Sequence, residues 1–138
     1  HYRTLKSVIH HIKHEDAEAH FVFAGGEERI TLAVARRLVK ELNHVGYASA
    51  RGIGKTSAEK VNGMTAESLM EKVDQCGGCM LVTKASELSG ESVERIVRLM
   101  EEQGRNMIVM LAAPFDEIDS FLSFYPALAE RITYKIRM

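Results

Sequence analysis

The stretch RGIGKTSAEK, Arg51–Lys60, carries the clearest chemical signal in the chain. Its core, GIGKTS, has the ending of the G-x-x-x-x-G-K-[ST] pattern. In that pattern backbone N–H groups and a lysine wrap a nucleotide's phosphates while a hydroxyl holds magnesium. On this reading Lys55 and Thr56 contact phosphate, and ATP with magnesium is the cofactor. Two features oppose it. The first glycine of the full pattern falls on Ser49. A phosphate loop must also link a buried strand to a helix N-terminus, where oriented N–H groups and the helix dipole attract an anion. The preceding stretch HVGYASAR is a poor buried strand, so Lys55 and Thr56 read as exposed strand or loop, with the phosphate contact as the alternative.

A second set of residues is Cys76 and Cys79 in C-G-G-C, with His10 and His14 one helical turn apart. Redox chemistry needs the cysteine pair at a helix start, where the dipole lowers a thiol pKa; here it precedes the strand-like CMLVT. Zinc needs about four ligands. The two pairs supply them only if the fold joins them, which leaves a metal-linked binding module as an alternative and no metal as the expectation. The plainer reading is a glycine turn leading into a core strand. His1, His11, His20 and His44 have no spacing that suggests chemistry. Asp116, Glu117 and Asp119 fit the first turn of a helix. Ser7, Ser57 and Ser120 have no nearby base, and Met70, Met100, Met107 and Met110 read as core filler.

The elements that must position these groups alternate. Helix-spaced apolar residues mark Thr4–Lys13, then a strand at His20–Ala24, a helix at Ile30–Leu42 closed by Gly46, and a weak strand at Ala50–Thr56. A helix beginning near Ser57 continues through Ala66–Val73. A strand at Cys79–Thr83 follows, then a helix capped by Ser89, the strand Met107–Ala112, a helix Asp116–Phe124 stopped before Pro126, and a final strand Ile132–Ile136. Strands alternating with helices predict crossover units and a mainly parallel, five-stranded three-layer α/β sandwich. Runs such as MIVML fit strands covered on both faces.

Composition sets bounds. The 138 residues are 46% hydrophobic with net charge −1, enough for one core and without a strong field toward nucleic acid or anionic membrane. The longest apolar run, Met107–Phe115, is too short to cross a bilayer. A cytoplasmic setting is expected from two cysteines without a secretory pattern.

The best strand–loop–helix unit lies before GIGKTS: HFVFA, then GGEER, then ITLAVARRLVKEL. Its loop carries Glu27 and Glu28 and no lysine, so its carboxylates would repel a triphosphate. From His20 to the end the chain resembles AAA+ ATPases of the CbxX/CfxQ type, the rubisco-activase-like and sporulation-protein-K-like group. Family members begin with a stretch like HFVFTGNPGTGKTTVA; this chain reads HFVFAGGEERITLAVA without a gap. The resemblance therefore puts Gly25, Gly26, Glu27 and Glu28 in a degenerate Walker A loop. Thr31 stands where the phosphate lysine would be, and Leu32 where the magnesium hydroxyl would be. The family's GGVLFIDEAYSL is similar to GGCMLVTKASEL, which puts Thr83 at the metal-side aspartate and Lys84 at the catalytic glutamate of a degenerate Walker B stretch.

Downstream, VERIVRLMEEQGRNMIVMLAAP and FLSFYPALAERI are similar to family segments, and Arg131 falls on a candidate arginine finger. Val61–Ala66 (VNGMTA) looks like a pore-loop element without its aromatic. The resemblance implies a strand order of 5-1-4-3-2 and a helical lid, for which no segment follows the fifth strand. The expectation is one degenerate AAA+ domain, residues 1–19 a helical lead-in and 20–138 the core, cut from a larger protein. Its role would be non-catalytic scaffolding or regulation beside other AAA+ domains or subunits, with no cofactor, nucleic acid or membrane. An ATP-binding domain with an atypical site is the alternative.

Overall fold

Strands without a polar face have to be buried on both sides, and that requirement sets the architecture. The computed structural model describes residues 2–12, 18–47 and 49–138. Strands β1 (Phe21–Ala24), β3 (Gly78–Thr83) and β4 (Ile108–Ala113) are buried along almost their whole length. Successive side chains on a strand point to opposite faces, so each of these strands feeds two cores. On one face Phe21, Phe23, Cys79, Leu81, Ile108 and Met110 pack with residues of α1 (Leu5–Ile12) and α2 (Glu28–His44). On the other, Val22, Met80, Val82, Val109 and Leu111 pack with α3 (Ala58–Asn62), α4 (Ala66–Gln75), α5 (Gly90–Gln103), α6 (Phe115–Phe124) and α7 (Pro126–Arg131). Residues expected to form a lead-in thus share the core, through Val8 and Ile12 of α1.

With β2 (Gly52–Ser57) and β5 (Tyr134–Arg137) the sheet has five strands, all parallel, in the order β2-β3-β4-β1-β5. This is the implied order read from the other edge. At the β5 edge Arg3 forms a parallel bridge to Ile136, its N–H donating to Lys135 O at 2.7 Å. No described helix is long and apolar enough to cross a membrane.

The helix expected from Ser57 onward is two helices. The Ser57 hydroxyl accepts from Lys60 N to cap α3, and the Thr65 hydroxyl accepts from Ser68 N to cap α4, so each has its own N-terminal stop signal. Helix α7 was not expected at all. Pro126, read as a terminator, ends α6 and occupies the first turn of α7, where its missing N–H costs nothing. Helix α2 ends in a Schellman motif: Gly46 at φ 88° donates to Asn43 O, and Tyr47 donates to Leu42 O.

The glycines of GIGKTS have a packing cause. A Cβ on Gly52 would lie 2.6 Å from the Cys76 carbonyl oxygen, and one on Gly54 would overlap the Cys76 sulfur. Gly77 and Gly78, at φ 97° and 108°, turn the chain so that Cys76 crosses over β2. Gly54 pairs with Met80 and Ile53 with Cys79. The Cys76 sulfur therefore lies on the Met80 face of the sheet, while Cys79 is buried on the opposite face. The C-G-G-C pair is held apart by the sheet, and burial pushes the Cys79 thiol far up. Of the zinc alternative, His14 lies outside the described residues, and no group of three metal-ligating side chains occurs among the described ones.

His20, read only as a surface or core histidine, is fully buried and joins three strands. Its Nδ1 accepts from Val109 N at 3.1 Å, which leaves the proton on Nε2 facing Glu18 Oε1 at 3.3 Å. Its carbonyl accepts from Thr133 N and Tyr134 N. Burial lowers its pKa below the ordinary 6.5, with Glu18 opposing and Arg131 reinforcing that shift.

Two expectations follow from this packing. Gly52→Ala meets the Cys76 carbonyl, and Gly54→Ala meets the Cys76 Cβ at 2.7 Å even if the thiol swings aside, so each should cost about 1–3 kcal/mol in chemical denaturation. Full native stability in either variant would contradict the close-approach account. Because the folded-state pKa of His20 lies below its unfolded value, its contribution is complete above pH 6.5 and declines as pH falls below that value. The denaturation midpoint should drop between pH 7 and 5.5 in the natural protein by more than in His20→Gln.

Candidate functional site

In an open α/β sheet the crevice lies at the carboxyl ends of the strands, where the order reverses. Here the reversal is at β1, whose sequence neighbour β2 stands at the far edge. A cavity of about 440 Å³ opens there. It is bounded by Gly25 and Gly26 after β1, Thr83 and Lys84 at the end of β3, and Ala113–Phe115 at the end of β4. The structure thus brings together the two motif regions that sequence reasoning paired only by resemblance.

The loop after β1 is shaped by Gly25 and Gly26, at φ 84° and 81°. Gly25 N donates to Ala113 O at 2.9 Å. Across Gly26 lies Met138, whose side chain would meet a Gly26 Cβ at 2.7 Å, and whose N–H donates to Ala24 O. Glu27 sits at the N-cap of α2 without a side-chain capping bond, and Glu28 begins the helix. Thr31 is buried and lines the cavity; Leu32 turns away to pack against the α1/α2 core. The opposite wall is a cluster in which Arg137 lies 3.9 Å from the Phe115 ring centroid and Tyr2 packs on Phe115 at 5.5 Å. Burial and a 2.8 Å hydrogen bond to Asp119 push the Tyr2 hydroxyl up to about 12.

The far side of the cavity carries positive charge. Lys84 is exposed and takes a left-handed conformation, φ 53°, as the cap of the 3₁₀ turn Ala85–Glu87. It is the one non-glycine residue with positive φ among those described, a strained geometry of the kind found at sites. Thr83 is buried, and its hydroxyl donates to Thr56 O at 3.1 Å.

Lys55 reaches the same site. Its Nζ lies 2.7 Å from Glu28 Oε1. The contact follows from strand parity: Lys55 points to the same face as Ile53, the α2 face, and lies near the strand end closest to the start of α2. Sequence reasoning separated the GKT letters from the loop after β1; the fold reunites them through this pair. The hydrogen bond and charge of Lys55, with a smaller contribution from Lys84, hold the Glu28 carboxyl below the usual carboxylate range. An exposed pair adds under about 1 kcal/mol to stability; its significance is positional. Of the two residues expected to be exposed, Lys55 is, but Thr56 is buried, because it faces the opposite side of β2, and its hydroxyl oxygen has no hydrogen-bond partner among the described residues.

Magnesium takes oxygen ligands, usually carboxylates and phosphates. The side-chain oxygens here are the Glu28 carboxylate, held by Lys55, and the hydroxyls of Thr31 and Thr83, the latter donating to a carbonyl. Beside them stands the Lys84 ammonium. This donor set does not fit a magnesium–triphosphate pair. A simple anion at the N-terminus of the 17-residue helix α2 meets Lys84 but also Glu28.

Arg131 lies at the other end of the sheet, before β5 begins, and is paired with Glu18 at 3.5 Å and Glu101 at 3.9 Å. No sequence signal pointed to those two partners, because they come from segments far apart in the chain.

No family model matches the chain. It is 27% identical over 127 residues to the CbbX homologue of Guillardia theta, covering 82% of this chain and 34% of that protein. To the chloroplastic ribulose bisphosphate carboxylase/oxygenase activase of Cyanidioschyzon merolae it is 28% identical over 127 residues, covering 82% of this chain and 41% of that protein. The chain thus spans well under half the length of these relatives. Among solved structures, the P-loop NTPase domain of a sigma-54 activator from E. coli superposes with a TM-score of 0.63 at 13% identity, covering 97% of this chain and 96% of that one. A DNA polymerase III gamma subunit-related protein of Thermotoga maritima superposes at 0.62 and 9% identity, covering 99% of this chain and 46% of that one. The five-stranded parallel sheet therefore has the fold of a P-loop NTPase domain, and the chain is similar in sequence to the CbbX homologue and the rubisco activase.

Proposed function

We propose that this is a non-catalytic AAA+ domain with a scaffolding or regulatory role in a larger AAA+ assembly. The observation that carries the reading is the Lys55–Glu28 pair beside the loop after β1. A lysine in such a loop normally neutralises phosphate charge, which is most of what phosphoryl transfer asks of the protein. Here the nearest lysine neutralises a carboxylate of the protein itself. Thr83 and Lys84 occupy the place where a metal-holding acid and a base would be needed. The partners are other AAA+ domains or subunits, in the same chain or another, in a cytoplasmic setting without nucleic acid or membrane.

The alternative is an ATP-binding domain with an atypical site. It is favoured by the open cavity and its two nearby ammonium groups, Lys55 and Lys84. Calorimetric titration with magnesium–ATP separates the two. The non-catalytic reading expects no heat and no thermal shift at millimolar nucleotide. Micromolar binding lost in Lys55→Ala or Lys84→Ala would replace it with the alternative.

In such an assembly Arg131 is the residue to serve a neighbour's nucleotide, being remote from this domain's own cavity. To act in trans it must release Glu18 and Glu101. Mixed with catalytically active partner subunits, Arg131→Ala should lower their ATPase rate. An unchanged rate would leave the arginine a purely internal ion-pair partner.

A further inference from the structure

The two edges of the sheet are treated differently. The β5 edge is met by Arg3, whereas β2 has no partner on its outer side among the described residues. An uncovered edge presents unpaired N–H and C=O groups to another chain. Beside it, between α2 and the start of β2, runs a groove of about 420 Å³. Its walls carry Arg36, Lys40 and His44 from α2 and Arg51 from the turn just before β2, over a floor of Gly52 and Ile53. No acidic residue lines it, and among the described residues none of these four side chains has an ion-pair partner. By contrast the neighbouring Arg37 is paired with Glu41, and Lys55 with Glu28. The Asn43 side chain donates to Ala50 O at 3.0 Å, tying the helix end to the strand start, so the groove walls are held in place.

We propose that this groove docks an extended acidic polypeptide segment, which adds to β2 as a further strand. Two matches point to that occupant. The unpaired edge asks for a ligand with its own peptide groups, as in strand addition. Arg36, Lys40 and His44 are spaced four residues apart, which repeats along the helix at about 6 Å. Same-side residues of an extended strand repeat at about 6.5–7 Å, so Asp or Glu at alternate positions meets the cations in register. A single-stranded nucleic acid would match the charge but has no groups to continue the ladder. The groove also offers no Phe, Tyr or Trp ring for base stacking. The site is at the opposite end of α2 from the candidate nucleotide cavity and does not depend on whether that cavity binds nucleotide.

The test uses a fluorescein-labelled peptide of alternating valine and glutamate, read by anisotropy and by amide hydrogen exchange. Saturable binding is expected, weakening as salt is raised and weaker by at least about tenfold in the Arg36→Glu/Lys40→Glu variant. The amides of β2 should exchange more slowly in the complex, and an alternating valine–lysine peptide should not bind. Absence of binding, equal affinity in the folded charge-reversed variant, or binding without protection of β2 would overturn the proposal. So would tighter binding of an oligouridylate or of inorganic pyrophosphate than of the acidic peptide.

Discussion

The structure depends on burying β1, β3 and β4 on both faces. Side chains alternate along a strand, so Val22, Met80, Val82, Val109 and Leu111 need one helical layer while Phe21, Phe23, Leu81, Ile108 and Met110 need another. Parallel strands then require each connection to travel back along a face, which the helices do. All five strands consequently end on the same side, and the loops after β1, β3 and β4 meet there. The cavity is a by-product of that geometry rather than of any one motif. A sequence can lose the chemistry of the site and keep its shape, because the shape is held by the apolar residues behind it.

The same geometry accounts for the letters of GIGKTS. Gly52 and Gly54 are glycines because Cys76 crosses over an edge strand. Lys55 is adjacent to the loop after β1 because of its parity in β2, not because its own segment forms a phosphate loop. Its ammonium meets Glu28, and Lys84 stands across the cavity.

The opposite end of the sheet has a separate polar network. His20 links β1, β4 and β5 through its ring and backbone, Glu18 faces both His20 and Arg131, and Arg131 also reaches Glu101. The domain thus has one polar end built from backbone turns and exposed ion pairs and another built from a buried histidine. The uncovered β2 edge runs between them.

Much of this was legible in the chain. FVFA, MLVT and IVMLAA, with helix-spaced apolar residues between them, determined a parallel sheet covered on both faces, because hydrophobic period and burial are local properties. Ser89 as a helix cap and a helix start near Ser57 were legible for the same reason, although Thr65 and the break between α3 and α4 were not. Helix α7 was missed too, since Pro126 is equally good as a stop and as a first-turn residue. The resemblance supplied the strand order, which periodicity does not contain. Only the tertiary structure decided that Lys55 pairs with Glu28, that Cys76 and Cys79 lie on opposite faces, that His20 is a buried ring acceptor, and that Arg131 is held by Glu18 and Glu101. Each is a contact between segments far apart in the chain, or between faces of a sheet. Such contacts depend on register and strand order, which no local pattern of residues encodes.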